Sequence, residues 1–129
     1  MTNNEHQNLV DALVKAFIGE GYIIENADSG DYQRPPTIER HEPDIIAKSS
    51  SSGLIIIGEA KTREDLNGEI SKEQFIDFSS RIMASGLLKG QAVPFHIVVK
   101  KEAAEDLRIV LASLGLSNKI GNIITIWTL

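Results

Sequence analysis

The sequence predicts an α/β protein in which helices pack on the faces of a central mixed β-sheet, with elements in the order α-β-β-β-α-β-α-β. Three observations carry this. Apolar residues recur at helical spacing in three separate stretches. Short runs rich in isoleucine and valine stand between and after them. Glycines and prolines fall at the boundaries.

The first helix is predicted over residues 5–20. Leu9, Leu13, Ala16 and Phe17 fall at i, i+4, i+7 and i+8, which gives one apolar face that Val10 and Val14 widen. Gly19 and Gly21 stop it. Residues 22–25 read as a short strand. Residues 26–42, NADSGDYQRPPTIERHE, form a polar loop around Pro35 and Pro36. A connection this long in a compact domain is usually functional or mobile. Residues 44–48 and 54–60 are two strands joined by the tract Ser49 to Ser52 and by Gly53, most simply an antiparallel hairpin.

A second helix is predicted over residues 71–87, with Phe75, Phe78, Ile82 and Leu87 along one side and Gly86 near its end. Residues 95–100 form a strand after Pro94. Residues 102–114 form a third helix, with Leu107, Val110, Leu111 and Leu114 at helical spacing and Gly115 as its stop. Residues 122–129, NIITIWTL, are a final β-branched strand. Trp127 alternates there with Thr125 and Leu129 and is assigned to the core or to an interface.

A chain of 129 residues suffices for one domain, taken as residues 1–129. Hydrophobic content of 42% and charged content of 24% are ordinary for a soluble globular protein. No apolar run reaches the roughly 18–20 residues that a membrane span needs, so no membrane association is expected. The opening MTNNEHQN lacks the apolar segment of a secretory signal. With zero cysteines, disulfides, thiolate nucleophiles and cysteine-ligated zinc are excluded, and a cytoplasmic location is expected. His6, His41 and His96 lie far apart, with no metal-ligand spacing. The net charge of −5 argues against coating nucleic acid through a global field and leaves room only for a local basic patch.

The chemistry concentrates in PDIIAKSSSSGLIIIGEAK, residues 43–61. A strand as apolar as residues 54–60 should be buried, yet charges end it. Side chains alternate along a strand, so Ile55, Ile57, Glu59 and Lys61 share one face. A carboxylate there needs a partner or a metal. Asp44 opens the neighbouring strand and faces the same way only opposite an odd-numbered residue, 57 or 59. The four-residue loop Ser49 to Ser52 sets it opposite Ile57, whereas a five-residue loop without a bulge would turn it to the wrong face. Two carboxylates near a backbone carbonyl make a hard oxygen site suited to Mg²⁺ or Mn²⁺. Such an ion activates water, and an adjacent lysine orients that water or neutralises phosphoryl charge. These are the parts of a phosphodiester hydrolysis site.

Pro43-Asp44, a gap, then Glu59-Ala60-Lys61 resembles the PD-(D/E)XK motif of the restriction-endonuclease-like nuclease superfamily. The resemblance covers roughly residues 5–100 and leaves 102–129 as an added helix and strand. In size and single-domain layout the chain is similar to small Holliday junction resolvases and restriction-type nucleases. The resemblance implies a Mg²⁺- or Mn²⁺-dependent deoxyribonuclease with Asp44 and Glu59 as metal ligands, the Ala60 carbonyl as a third, and Lys61 as the catalytic lysine. Many members place a glutamate on the first helix. Glu5, four residues before Leu9 and so on the core-facing side, fits that role. Glu5 also fits a capping box begun by Thr2. RecB-type members carry a glutamine and, four residues on, a tyrosine. Here Gln74 has Phe78 at that spacing, and Ser71 with Gln74 also reads as a capping box.

Arg34, Arg40 and His41 on the long loop are candidate phosphate contacts, although Glu39 and Glu42 flank them. Arg63, Lys72 and Lys100 are candidates for one rim of the site, read equally as ordinary charged surface. The expected partner is DNA, as duplex, junction or branched substrate. Cutting two strands with one cleft per chain implies a homodimer, and the apolar final strand is a candidate interface if it lies at a sheet edge. A non-catalytic binding module and an accessory subunit of a larger restriction or repair assembly stand as alternatives.

Overall fold

A computed structural model of the chain describes residues 4–129. Helix α1 is Asn4–Gly19, followed by strands β1 (Tyr22–Ala27), β2 (Ile45–Ser49) and β3 (Ile55–Ala60). Then come α2 (Glu69–Ser79), β4 (Phe95–Val99), α3 (Ala104–Ser113) and β5 (Ile124–Thr128). The five strands form one mixed sheet in the order β1-β2-β3-β4-β5. The first three run antiparallel, and β4 and β5 run parallel to β3. No helix among the described residues is long and apolar enough to cross a membrane.

The two sheet faces carry separate cores. Leu9, Leu13 and Phe17 of α1 pack on Ala27, Ile45, Ala47, Ile56, Ala60 and Val98. On the opposite face, Phe75 and Phe78 of α2 and Leu107, Val110 and Leu111 of α3 pack on Ile57, Phe95, Ile97 and Ile124. The inner strands β2, β3 and β4 therefore send alternate residues to opposite helical layers, which explains why β3 is apolar on both faces. Gly58 sets the approach of α1: a Cβ there would lie 3.0 Å from both Leu13 Cδ2 and Phe17 Cε2. The helix also docks through polar contacts, with the Asp11 carboxylate accepting from Ser29 Oγ at 2.6 Å and Gln7 donating to the Asp28 carbonyl at 2.9 Å.

Several boundaries differ from expectation. Strand β1 runs on to Ala27 through a bulge between Ile24 and Asn26, because the loop backbone continues the pairing, with the Ala27 amide donating to the Gln33 carbonyl at 3.0 Å. Helix α2 covers 69–79 rather than 71–87. The Ser80 hydroxyl turns back onto the Ile76 carbonyl at 2.8 Å, and Lys119 Nζ reaches the Ser79 carbonyl at 3.0 Å. The chain beyond reverses at Gly86 and Gly90, both at positive φ, so Ile82 and Leu87 are exposed rather than on a helical core face. Helix α2 starts at Gly68, not Ser71, which is buried inside it. The Ser71–Gln74 capping box therefore does not form. Thr2, the other expected cap, lies outside the described residues.

The β2–β3 connection is a four-residue turn, Ser50 to Gly53, with Gly53 at φ 80°. The Ser49 amide donates to the Leu54 carbonyl at 2.9 Å. Ile45 pairs with Gly58 and Ile46 with Ile57. Continued by one residue, that register sets Asp44 opposite Glu59, not Ile57 as expected. The turn starts one residue later than expected, so the pairing shifts by two and the facing is preserved.

Buried His96 on β4 accepts a hydrogen bond at Nδ1 from Trp127 Nε1 at 2.8 Å, which fixes the neutral ring with its proton on Nε2. Burial pushes its pKa down to about 4. A depressed histidine stabilises the fold fully above the unfolded value near 6.5, and that contribution is lost as pH falls from there toward 4. Its full extent is about 3 kcal/mol. Thermal melts from pH 7 to 4.5 should show His96→Gln, neutral throughout and still an acceptor, losing less stability than the wild type.

Candidate functional site

The site forms where β2 begins and β3 ends. Asp44 and Glu59 lock the strand ends reciprocally. The Asp44 amide donates to Glu59 Oε1 at 2.9 Å, and the Ala60 amide donates to Asp44 Oδ2 at 2.8 Å. Glu59 is 2% exposed and Lys61 8%. Lys61 Nζ lies 3.3 Å from Glu59 Oε2 and donates to Gln74 Oε1 on α2. His6 of α1 reaches over from the other sheet face and places Nε2 3.2 Å from Asp44 Oδ2. No buried side-chain nitrogen or oxygen among the described residues lacks a hydrogen-bond partner.

The electrostatics divide the two carboxyls. Burial and the adjacent Asp44 charge raise the pKa of Glu59 well above the usual carboxylate range, against the opposing pull of Lys61. Burial also acts to raise Asp44, but hydrogen bonds from His6 and Glu59 and the positive charge on His6 outweigh it and leave Asp44 below its ordinary value. His6 is raised in turn, chiefly by its bond to Asp44. The two carboxyls are thus driven apart, Asp44 toward the ionised form and Glu59 toward the protonated one, as two adjacent buried acids are.

The structure brings Asp44, Glu59, Ala60, Lys61 and Gln74 together. It corrects the place given to Glu5, which is exposed, while its neighbour His6 points to Asp44. The reason is helical phase. His6 lies three and four residues before the buried Leu9 and Val10 and so heads the core-facing stripe, a signal present in the sequence. Phe78, at the position of the expected hydroxyl, is buried in the core, 5.6 Å from the Phe95 ring centroid.

The candidate phosphate contacts are engaged by acids. Arg40 makes a two-pronged contact with Asp77, 3.0 Å on each arm, and lies 3.4 Å from Glu73. His41 bonds Glu73 at 2.7 Å, Arg34 bonds Glu42 at 3.0 Å, and Arg63 bonds Asp106 at 2.6 Å. Lys100 is exposed at the end of β4 and Lys72 half-buried on α2. A groove of about 530 Å³ lies on the same sheet face, lined by Ile46, Ile55, Ile57 and Met83. Its only charged lining residues are Glu25 and Arg81, so the titratable cluster belongs to the strand ends and not to this concavity.

Chemically, the cluster offers two carboxyls of divided acidity beside a lysine amine that the Gln74 amide holds in place. No protein-family model matches the chain, and no curated protein or solved structure matches it significantly.

The raised pKa of Glu59 fixes a sign for stability. Between its unfolded and folded pKa values the folded state binds one more proton, so stability falls as pH rises, by at most about 1.4 kcal/mol per unit. Urea titrations from pH 5 to 9 should give a shallower fall for Glu59→Gln than for the wild type.

Proposed function

We propose that the protein is a metal-dependent nuclease that hydrolyses phosphodiester bonds in DNA, on a restriction-endonuclease-like fold. The observation that carries the reading is the convergence of Asp44, Glu59 and Lys61 at the ends of two adjacent strands, with Glu59 and Lys61 buried and the lysine bonded to Gln74. A buried lysine between a carboxyl and an amide acceptor is costly as mere structure, because its charge is desolvated. It is useful where charge develops during a reaction.

The donor set fits a hard cation. Asp44 and Glu59 supply carboxylate oxygens, and the Ala60 carbonyl is the adjacent backbone donor. No group of three or more His, Cys, Asp or Glu side chains among the described residues converges to hold an ion. Two carboxylates with water in the remaining positions is the coordination Mg²⁺ favours. Bound there, Mg²⁺ or Mn²⁺ would supply an acidified water and a positive charge opposite the phosphoryl oxygens. His6 keeps Asp44 ionised, Gln74 aims the Lys61 ammonium, and Lys61 orients the attacking water or neutralises the charge on phosphorus-bound oxygen.

Ligation requires Glu59 to give up its proton. Calorimetric titration with Mn²⁺ should therefore show proton release and an affinity that rises with pH, by up to about tenfold per unit. Glu59→Ala should abolish the binding.

The direct test is cleavage of labelled duplex, four-way junction, flap and single-stranded DNA with Mg²⁺ or Mn²⁺. The wild type should cut at least one substrate, and Glu59→Ala and Lys61→Ala should each lose about 100-fold or more. The acid pairing of Arg34, Arg40, His41 and Arg63 favours a second reading: a subunit whose DNA contacts come from a larger partner. Metal binding through Glu59 with no cutting of any DNA by the isolated chain would move the assignment to that subunit.

A further inference from the structure

We infer that β5 pairs antiparallel with β5 of a second copy of this chain, joining two sheets into one of ten strands. This rests on the edge of the sheet and does not require the nuclease reading.

The sheet has two edges of different character. Strand β1 is protected. A bulge interrupts it, Glu25 pairs with Lys48 at 3.2 Å, and the Ala27 amide and Asn26 side chain bond the loop backbone at Gln33 and Arg34. These are devices by which proteins block edge-to-edge association. Strand β5 has none. Residues 122–129, NIITIWTL, contain no charged side chain, no proline and no glycine, and β5 pairs with β4 without a bulge.

The backbone phase shows what the edge offers. The Ile123 carbonyl accepts from the Phe95 amide, and the Leu129 amide donates to the Val99 carbonyl. Odd-numbered residues therefore turn their amides and carbonyls toward β4, and even-numbered ones turn theirs outward. The Ile124 carbonyl is taken by the Gly121 amide at 2.8 Å. Ile126 and Thr128 remain as the outward residues, and β5 has no neighbouring strand on that side among the described residues.

This edge is complementary to itself. With a two-fold axis beside Trp127, Ile126 of each copy lies opposite Thr128 of the other. All four outward amides and all four outward carbonyls then pair. A neutral segment meets its own copy without like charges opposed, which the net charge of −5 elsewhere on the chain would otherwise bring. Trp127, half-buried and ring-packed on Phe17 and His96, meets its symmetry mate at the axis. The axis stands perpendicular to the sheet, so both α2 faces lie on one side. The two Glu59 clusters open at opposite ends, about 24 Å apart across the strands from five strand spacings.

The test is sedimentation velocity from 1 to 200 µM (about that range, where standard-size weak dimers respond), with Trp127 fluorescence, the chain's only tryptophan, followed on dilution. Thr128→Pro removes one outward amide from an exposed edge position and leaves the bonds to β4 in place. Thr128→Lys brings like charges to the axis. The wild type should sediment at twice the 14.1 kDa chain mass at high concentration, with a dilution-dependent tryptophan emission. Both variants should weaken the dimer by about tenfold or more while keeping the wild-type circular dichroism. If Thr128→Pro misfolds, Thr128→Lys decides. A monomeric wild type across the range, or a dimer that Thr128→Lys leaves intact, overturns the inference.

Discussion

The reciprocal bonding of Asp44 with Glu59 and Ala60 is the constraint on which the rest of the site depends. The Asp44 amide satisfies the Glu59 carboxyl and the Ala60 amide satisfies the Asp44 carboxyl, so the ends of β2 and β3 are held at one register. A slip by one residue would turn Asp44 away from Glu59 and break both bonds at once. The proximity this enforces also decides the charge state. Burial and the neighbouring Asp44 push the Glu59 pKa up, while the bonds that Asp44 accepts hold its own below the ordinary value, and the neighbours follow that division. His6 lies on Asp44 and Lys61 beside Glu59.

The two helical layers meet the site from opposite faces. Gly58 lets α1 lie close on β3, and this proximity carries the helix N-terminus, with His6, to Asp44. On the other face α2 presents three neighbouring side chains to different partners. Gln74 turns inward to Lys61, while Glu73 and Asp77 turn to Arg40 and His41 on the long loop. One helix therefore fixes both the lysine amine and the loop that leads into Asp44. The left-handed Glu39, at φ 55°, makes the tight turn between Ile38 and His41 that the loop needs to reach α2.

The ion pairs around the site shape its outer field. Positive charges that a polyanion would meet are already opposed by Glu42, Glu73, Asp77 and Asp106. Exposed pairs of this kind contribute little to stability. Any phosphate approaching Arg40 would have to displace a carboxylate, whereas Lys100 is exposed.

The sequence by itself determined the period-driven features. Leu9, Leu13 and Phe17 fixed the buried face of α1, the isoleucine run fixed β3 as an interior strand, and alternation set Glu59 and Lys61 on one face. These depend on local geometry, which repeats every 3.6 or 2 residues. Tertiary structure decided the features set by contacts across long separations. Helix α2 ended at Ser79 because its own serines and Lys119 close the carbonyl end, although the apolar period continued on paper to Leu87. Gln74 became a partner of Lys61 instead of a cap because the helix began at Gly68. Glu5 gave way to His6 on helical phase that the sequence already held, and only the meeting of His6 with Asp44 came from the close approach of α1 at Gly58. The arginines were neutralised by acids up to 43 residues away in sequence, since charge pairing follows distance in space, which a linear reading does not contain.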